Sequence, residues 1–108
     1  MIRRLILAAA LAAAPIAATA QPAGLDGHRL FHQKCGMCHE PGGMGTGLLA
    51  RRVQPAELEK RADLNPGYVF QYARRGLGNM PPIPPGQVSD DELRAIAAYL
   101  AAGPHGDK

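Results

Sequence analysis

Cys35-Gly36-Met37-Cys38-His39 is the stretch on which the reading of this chain turns. A helical pattern runs into it: from about Asp26 to Lys34, the residues Gly27, Leu30, Phe31 and Lys34 share one face at i, i+3, i+4 and i+7. Two thiols about one helical turn apart match the spacing of the two vinyl groups on one edge of a haem, and the next residue, His39, is then placed beneath the iron as a neutral imidazole. A thioredoxin-like dithiol would open a helix inside a βαβ unit, whereas here the helix precedes the motif and no strand pattern exists. A zinc site would need a fourth ligand beside three crowded ones. Covalent haem attachment through Cys35 and Cys38, with His39 as an axial ligand, accounts for all three residues together.

A haem iron has a second axial position, and Met80 is the candidate for it. Met80 follows Gly76 and Gly78 and precedes Pro81-Pro82, on a loop with little conformational freedom. A thioether there favours Fe(II) over Fe(III) and raises the potential relative to two imidazoles. The ordinary role of a methionine is to fill gaps in a core, but prolines and polar neighbours surround this one. Met37 lies between the cysteines, too close to the attachment point to cross the ring. Met44 falls in a Gly-rich segment read as packing or exposed, His28 and His32 on a solvated helix face, and His105 in a fraying tail.

Outward from the motif, the chain reads as all-α with three to four helices and no strand. Glu40 to Leu49 holds Gly42, Gly43, Gly45 and Gly47 and is expected to be loop. A short helix is expected to begin at Pro55, carrying Leu58 and Ala62 inward. A stronger one starts with Asn65 as N-cap and Pro66 as first residue, buries Val69, Tyr72 and Ala73, and closes on Arg74 and Arg75 before Gly76. Gly76 to Gly86 is a proline-stiffened loop. In the last helix Ser89 and Glu92 form a capping box, Leu93, Ile96, Ala97 and Leu100 make the apolar stripe, and Gly103 stops it.

The first twenty residues have a different character. Arg3 and Arg4 precede an apolar run from Leu5 to Ala18, and Ala18-Thr19-Ala20 gives a small-x-small pattern. That order predicts a cleaved signal peptide over 1–20, with a mature domain over 21–108. A retained anchor would need ~20 apolar residues without an interrupting Pro15. The whole chain carries twelve Lys and Arg against nine Asp and Glu, but without Arg3 and Arg4 the balance is ten against nine, formally +1. Nothing in that balance indicates a nucleic-acid partner. A domain this small, without Trp and with both cysteines in one motif, needs something bulky and apolar at its centre.

Several features in the right order make the mature sequence resemble a class I cytochrome c. Gly27, Phe31 and Cys35 stand at the family's Gly-x-x-x-Phe-x-x-x-Cys spacing. Cys35-x-x-Cys38-His39, a Gly-rich loop, Asn79-Met80-Pro81 and Leu93-x-x-Ile96-x-x-Tyr99-Leu100 follow. The resemblance implies an all-α fold around one covalent haem c, with the first and last helices crossing where Gly27 and Phe31 meet Tyr99. The family's Gly-Pro after the haem motif is replaced by Gly45-Thr46-Gly47-Leu48, and a carbonyl at Thr46 is expected to orient His39. The propionate-binding Trp of many relatives is absent, and Arg51, Arg52, Tyr68 and Arg74 are candidate substitutes.

By resemblance the chain is a periplasmic carrier of single electrons, not itself an enzyme. Its implied partners are redox proteins: a dehydrogenase or membrane oxidoreductase as donor, an oxidase or reductase as acceptor. After signal cleavage no membrane span is expected, and the protein is either a monomer or a subunit of a dehydrogenase complex. The Gly78-Asn79-Met80-Pro81-Pro82 string is similar to small cytochrome subunits that serve flavin-dependent dehydrogenases. The rival from another class is a haem enzyme or gas sensor with an open sixth position, against which stands the stiffened Met80 loop.

Overall fold

The computed structural model describes residues 9–13 and 24–106, so the expected signal segment and its cleavage site lie almost wholly outside the described residues. Five α-helices occur among the described residues: α1 over Gly27–Lys34, α2 over Gly36–His39, α3 over Met44–Leu49, α4 over Pro66–Arg75 and α5 over Asp90–Ala101. A 3-10 turn spans Leu58–Lys60. The extended pairing among the described residues is a single bridge between Leu77 and Met80. No described helix is long and apolar enough to cross a membrane.

Local chemistry sets the ends of the longer helices. The Asp26 side chain accepts from the Arg29 amide at the start of α1, and Asn65 accepts from the Gly67 amide at the start of α4. At α5 the Ser89 hydroxyl accepts from the Glu92 amide (3.1 Å) while the Glu92 carboxylate accepts from the Ser89 amide (3.0 Å). That carboxylate is held below its ordinary range, chiefly by the Ser89 amide. α4 ends at Gly76, whose φ of +76° disfavours any residue with a side chain.

The core sits where α1 and α4 pack against α5. Phe31, Leu93, Ile96 and Leu100 are its largest fully buried side chains. α1 meets α5 at very close quarters: a Cβ placed on Gly27 would lie 2.2 Å from the Ala95 carbonyl oxygen and 2.8 Å from Tyr99 Cβ. Phe31 then lies 6.2 Å from Tyr99, ring to ring. This is the Gly27–Phe31–Tyr99 contact that the resemblance implied, and it exists because two backbones can approach this closely only where one lacks a side chain.

Three expectations need correction. The Gly-rich segment is not all loop, since Met44–Leu49 is helical. Its glycines serve packing: Cβ atoms on Gly43 and Gly45 would lie 2.5 and 2.8 Å from the Cys38 carbonyl oxygen. No α-helix starts at Pro55, only the later 3-10 turn, in which Leu58 is half-buried while Ala62 lies beyond it, exposed. Tyr72 is 44 % exposed and Ala73 carries the buried face of α4.

Candidate functional site

The cysteine motif is built as a second short helix hinged on the end of α1. The Cys35 amide donates to the Phe31 carbonyl, closing α1, and the His39 amide donates back to the Cys35 carbonyl, forming α2. Gly43 and Gly45 bring the start of α3 against the Cys38 carbonyl, so the motif is clamped between α1 and α3. Met37 points away and is 93 % exposed.

Cys35 and Cys38 are free thiols, both half-buried. Burial, and secondarily the nearby Cys38, push the Cys35 thiol up to about 11, which keeps it protonated and structurally inert on its own. Burial also lowers the His39 pKa, favouring the neutral imidazole that a metal ligand must be. His39 Nδ1 is buried without a hydrogen-bond partner. The expected partner, the Thr46 carbonyl, instead accepts from the Ala50 amide, one of the bonds that close α3. The ring is held by contact: a Cβ on Gly45 would stand 3.2 Å from its Cε1 and 3.3 Å from its Nδ1.

The structure brings Met80 to the same core. Cys35 and Met80 are both half-buried and pack against the core cluster that includes Phe31, Ile96, Tyr99 and Leu100. The Met80 loop is pinned at both ends. Leu77 and Met80 exchange backbone hydrogen bonds of 3.0 and 2.9 Å around Gly78, whose φ is +57°. Beyond the prolines, the Ile83 amide donates to the Ala73 carbonyl at 2.8 Å, and Arg74 donates to the Ile83 carbonyl at 3.0 Å. Arg74 also pairs with Asp90 at 2.6 Å, so this candidate for the propionates is committed to fastening the loop to α5. Arg51, Arg52 and Tyr68 are exposed.

A haem needs a bulky apolar surround, thiols about a turn apart, a neutral imidazole and a second soft ligand. The residues present fit it. The paired thiols, the neutral His39 ring, whose Nδ1 is turned against Gly45 and leaves Nε2 as the ligand atom, and the pinned thioether of Met80 supply the donors. Apolar side chains exposed on α4 and its following loop, namely Tyr68, Tyr72 and Leu77, supply surface that water solvates poorly.

With this arrangement in view, the profile of the family described as "Cytochrome C oxidase, cbb3-type, subunit III" matches residues 22–100. The chain belongs to this cytochrome c family. Among curated proteins this cytochrome is 31 % identical over 80 residues to the "4-cresol dehydrogenase [hydroxylating] cytochrome c subunit" of Pseudomonas putida. That alignment takes in 73 % of this chain and 61 % of the relative, so the cytochrome spans about three-fifths of the relative's length. No solved structure matches. The covalently bound group of a cytochrome c is haem c, in agreement with the fit of the donor set.

Sequence reasoning misplaced three histidines. His28 and His32 are half-buried rather than solvated: their rings meet edge to face at 4.6 Å, and His28 lies 5.2 Å from the Tyr99 ring. His105 is not frayed. Its amide donates to the Glu59 carbonyl at 2.7 Å, its Nε2 lies 2.6 Å from the Tyr99 carbonyl oxygen, and its ring stacks on Tyr99 at 4.1 Å. The i, i+4 spacing of His28 and His32 was the available signal; the role of His105 depends on a tertiary contact that no local pattern encodes.

Proposed function

We propose that this cytochrome carries single electrons between redox proteins outside the cytoplasm, on one haem c held by Cys35, Cys38, His39 and Met80. The observation that carries the reading is the packing of Cys35 and Met80, far apart in sequence, against one core, each on a segment whose backbone is fixed by hydrogen bonds.

When bound, the haem supplies an iron that exchanges one electron between its Fe(III) and Fe(II) states. The chain's own residues do the rest. Cys35 and Cys38 fix the group by thioethers, and His39 offers a neutral imidazole whose ring is kept in place by Gly45. The Leu77–Met80 turn and the Arg74–Ile83 bond hold the Met80 sulfur on a loop that need not rearrange. A ligand set that stays put keeps the structural cost of electron exchange small. No acid–base pair is needed for such a step, and the protein is read as a carrier, not an enzyme in its own right.

In this proposal residues 1–20 are a cleaved signal peptide, residues 21–108 the cytochrome c domain, and the periplasm its location. The partner favoured is a dehydrogenase, because the relative named above is the cytochrome c subunit of one. Contact with it would be transient and modest in area, or permanent if the chain is a dedicated subunit.

A redox titration combined with ligand binding tests the carrier reading. A reversible one-electron wave, with slow binding of carbon monoxide to the reduced protein, is the expected result. Rapid carbon monoxide binding to a five-coordinate iron would overturn it in favour of an enzyme or gas sensor. Co-purification with a dehydrogenase from the native cell would separate a dedicated subunit from a free shuttle.

A further inference from the structure

Beside the haem motif, His28 and His32 on α1 converge with Glu59 of the Leu58–Lys60 turn. Each is half-buried, and one ligand atom from each lies within 4.8 Å of the others. We propose that these three side chains form a second metal site, for a divalent ion of the zinc class, that ties α1 to the Leu58–Lys60 turn.

The donor set suits such an ion. Two imidazoles and one carboxylate are a common zinc combination, leaving a fourth position for water. Histidines at i and i+4 share one helix face, so α1 presents both rings to the same point. His32 Nε2 and Glu59 Oε1 are 2.9 Å apart. Two ligands bound at 2.0–2.2 Å in tetrahedral geometry stand roughly 3.3 Å apart, so that edge of the site is nearly formed.

The surroundings orient the donors as supporting partners of metal ligands do. His32 Nδ1 contacts the Glu40 carboxylate, a pairing that sets the tautomer and leaves Nε2 as the lone-pair atom. Glu59 Oε2 accepts from the buried Tyr99 hydroxyl at 2.8 Å, which turns Oε1 toward His32. The Glu59 backbone is fixed in turn by the His105 amide. A neutral imidazole has one N–H, and His32 faces carboxylates from both ring nitrogens. Its Nε2–Glu59 contact lacks hydrogen-bond alignment. A cation bound by both satisfies each, with the Nε2 lone pair and the Oε1 lone pair as two adjacent corners of its shell.

The test uses the haem-loaded protein, in which the thiols are thioethers and unavailable to added metal. After equilibration at about 10 μM free Zn2+, metal analysis is expected to find one equivalent bound, with an unchanged haem spectrum. His28→Gln and Glu59→Gln are each expected to weaken binding at least about tenfold, the loss typical of disturbing a metal's ligand environment. If either variant fails to fold, X-ray absorption at the zinc edge of the unaltered protein decides, with the outer-shell signature of two imidazoles expected. No retained zinc would overturn the site. So would equal retention by both variants, or a zinc shell of sulfur or of water oxygen alone. A change in the haem spectrum on adding zinc would place the ion at the haem ligands and overturn it as well.

Discussion

Replacing Gly27 by Ala should destabilise the protein, although helix propensity alone argues the opposite. In a helix interior Ala is favoured over Gly by at most ~1 kcal/mol. The crossing reverses the sign. The added methyl would sit 2.2 Å from the Ala95 carbonyl oxygen and 2.9 Å from its carbon, and both are backbone atoms of α5 that cannot swing aside. Ordinary contact begins near 3.4 Å, so the helices must part by more than an ångström at the crossing. A gap of ~0.5–1 Å already forfeits a quarter to a half of each dispersion contact around it. Phe31, Ile96 and Leu100 lie in that interface, all essentially excluded from water. Overpacking of this kind costs ~3 kcal/mol at the upper end of its usual range, leaving a net loss of ~2 kcal/mol after the propensity gain. For a domain of this size that is a fall in Tm of about 8–16 °C. Thermal melting of the haem-loaded variant by circular dichroism measures it, with Gly47→Ala as the control. A Cβ at Gly47 meets nothing within 4 Å, so propensity should act alone there and leave Tm equal or higher. A Gly27→Ala protein as stable as the parent, or more so, would refute the close crossing.

Two further outcomes follow from the caps and the site. Ser89→Ala removes the hydroxyl that accepts from the Glu92 amide and should cost ~1 kcal/mol, read as a lower Tm. The Glu92 carboxylate is held down chiefly by the Ser89 backbone amide, so that contribution is complete above the ordinary carboxylate range and is lost as pH falls through the depressed value; because Ser89→Ala keeps this amide, an NMR titration should show the Glu92 pKa still below its usual range in the variant. Gly45→Ala places a methyl 2.8 Å from the Cys38 carbonyl oxygen and 3.2 Å from His39 Cε1. It should shift the haem spectrum or lower haem incorporation, whereas a spectrum and yield equal to the parent would mean that Gly45 does not position His39.

What was legible in the sequence was what local chemistry fixes. Asn65 with Pro66, and Ser89 with Glu92, set the starts of α4 and α5 because a cap needs only residues a turn apart. The Gly27–Tyr99 crossing was legible through a spacing shared with a family, since the contact itself joins opposite ends of the domain. α3 was missed because four glycines argue against a helix by propensity, while in the fold Gly43 and Gly45 are required by their approach to Cys38. Tyr72 was read as buried from its period, yet the face of α4 that packs on α5 is centred on Ala73. The partners of His32 and His105 come from Glu40, Glu59 and Tyr99, contacts set by tertiary packing and not by spacing.

The central claim is that His39 and Met80 would both supply ligands to the haem iron. The optical spectrum of the haem-loaded protein, oxidised and reduced, compared with that of Met80→Ala, tests it most directly. The account predicts a low-spin spectrum with the weak far-red sulfur-to-iron band in the parent and loss of that band in the variant. A high-spin parent spectrum that Met80→Ala leaves unchanged would contradict it.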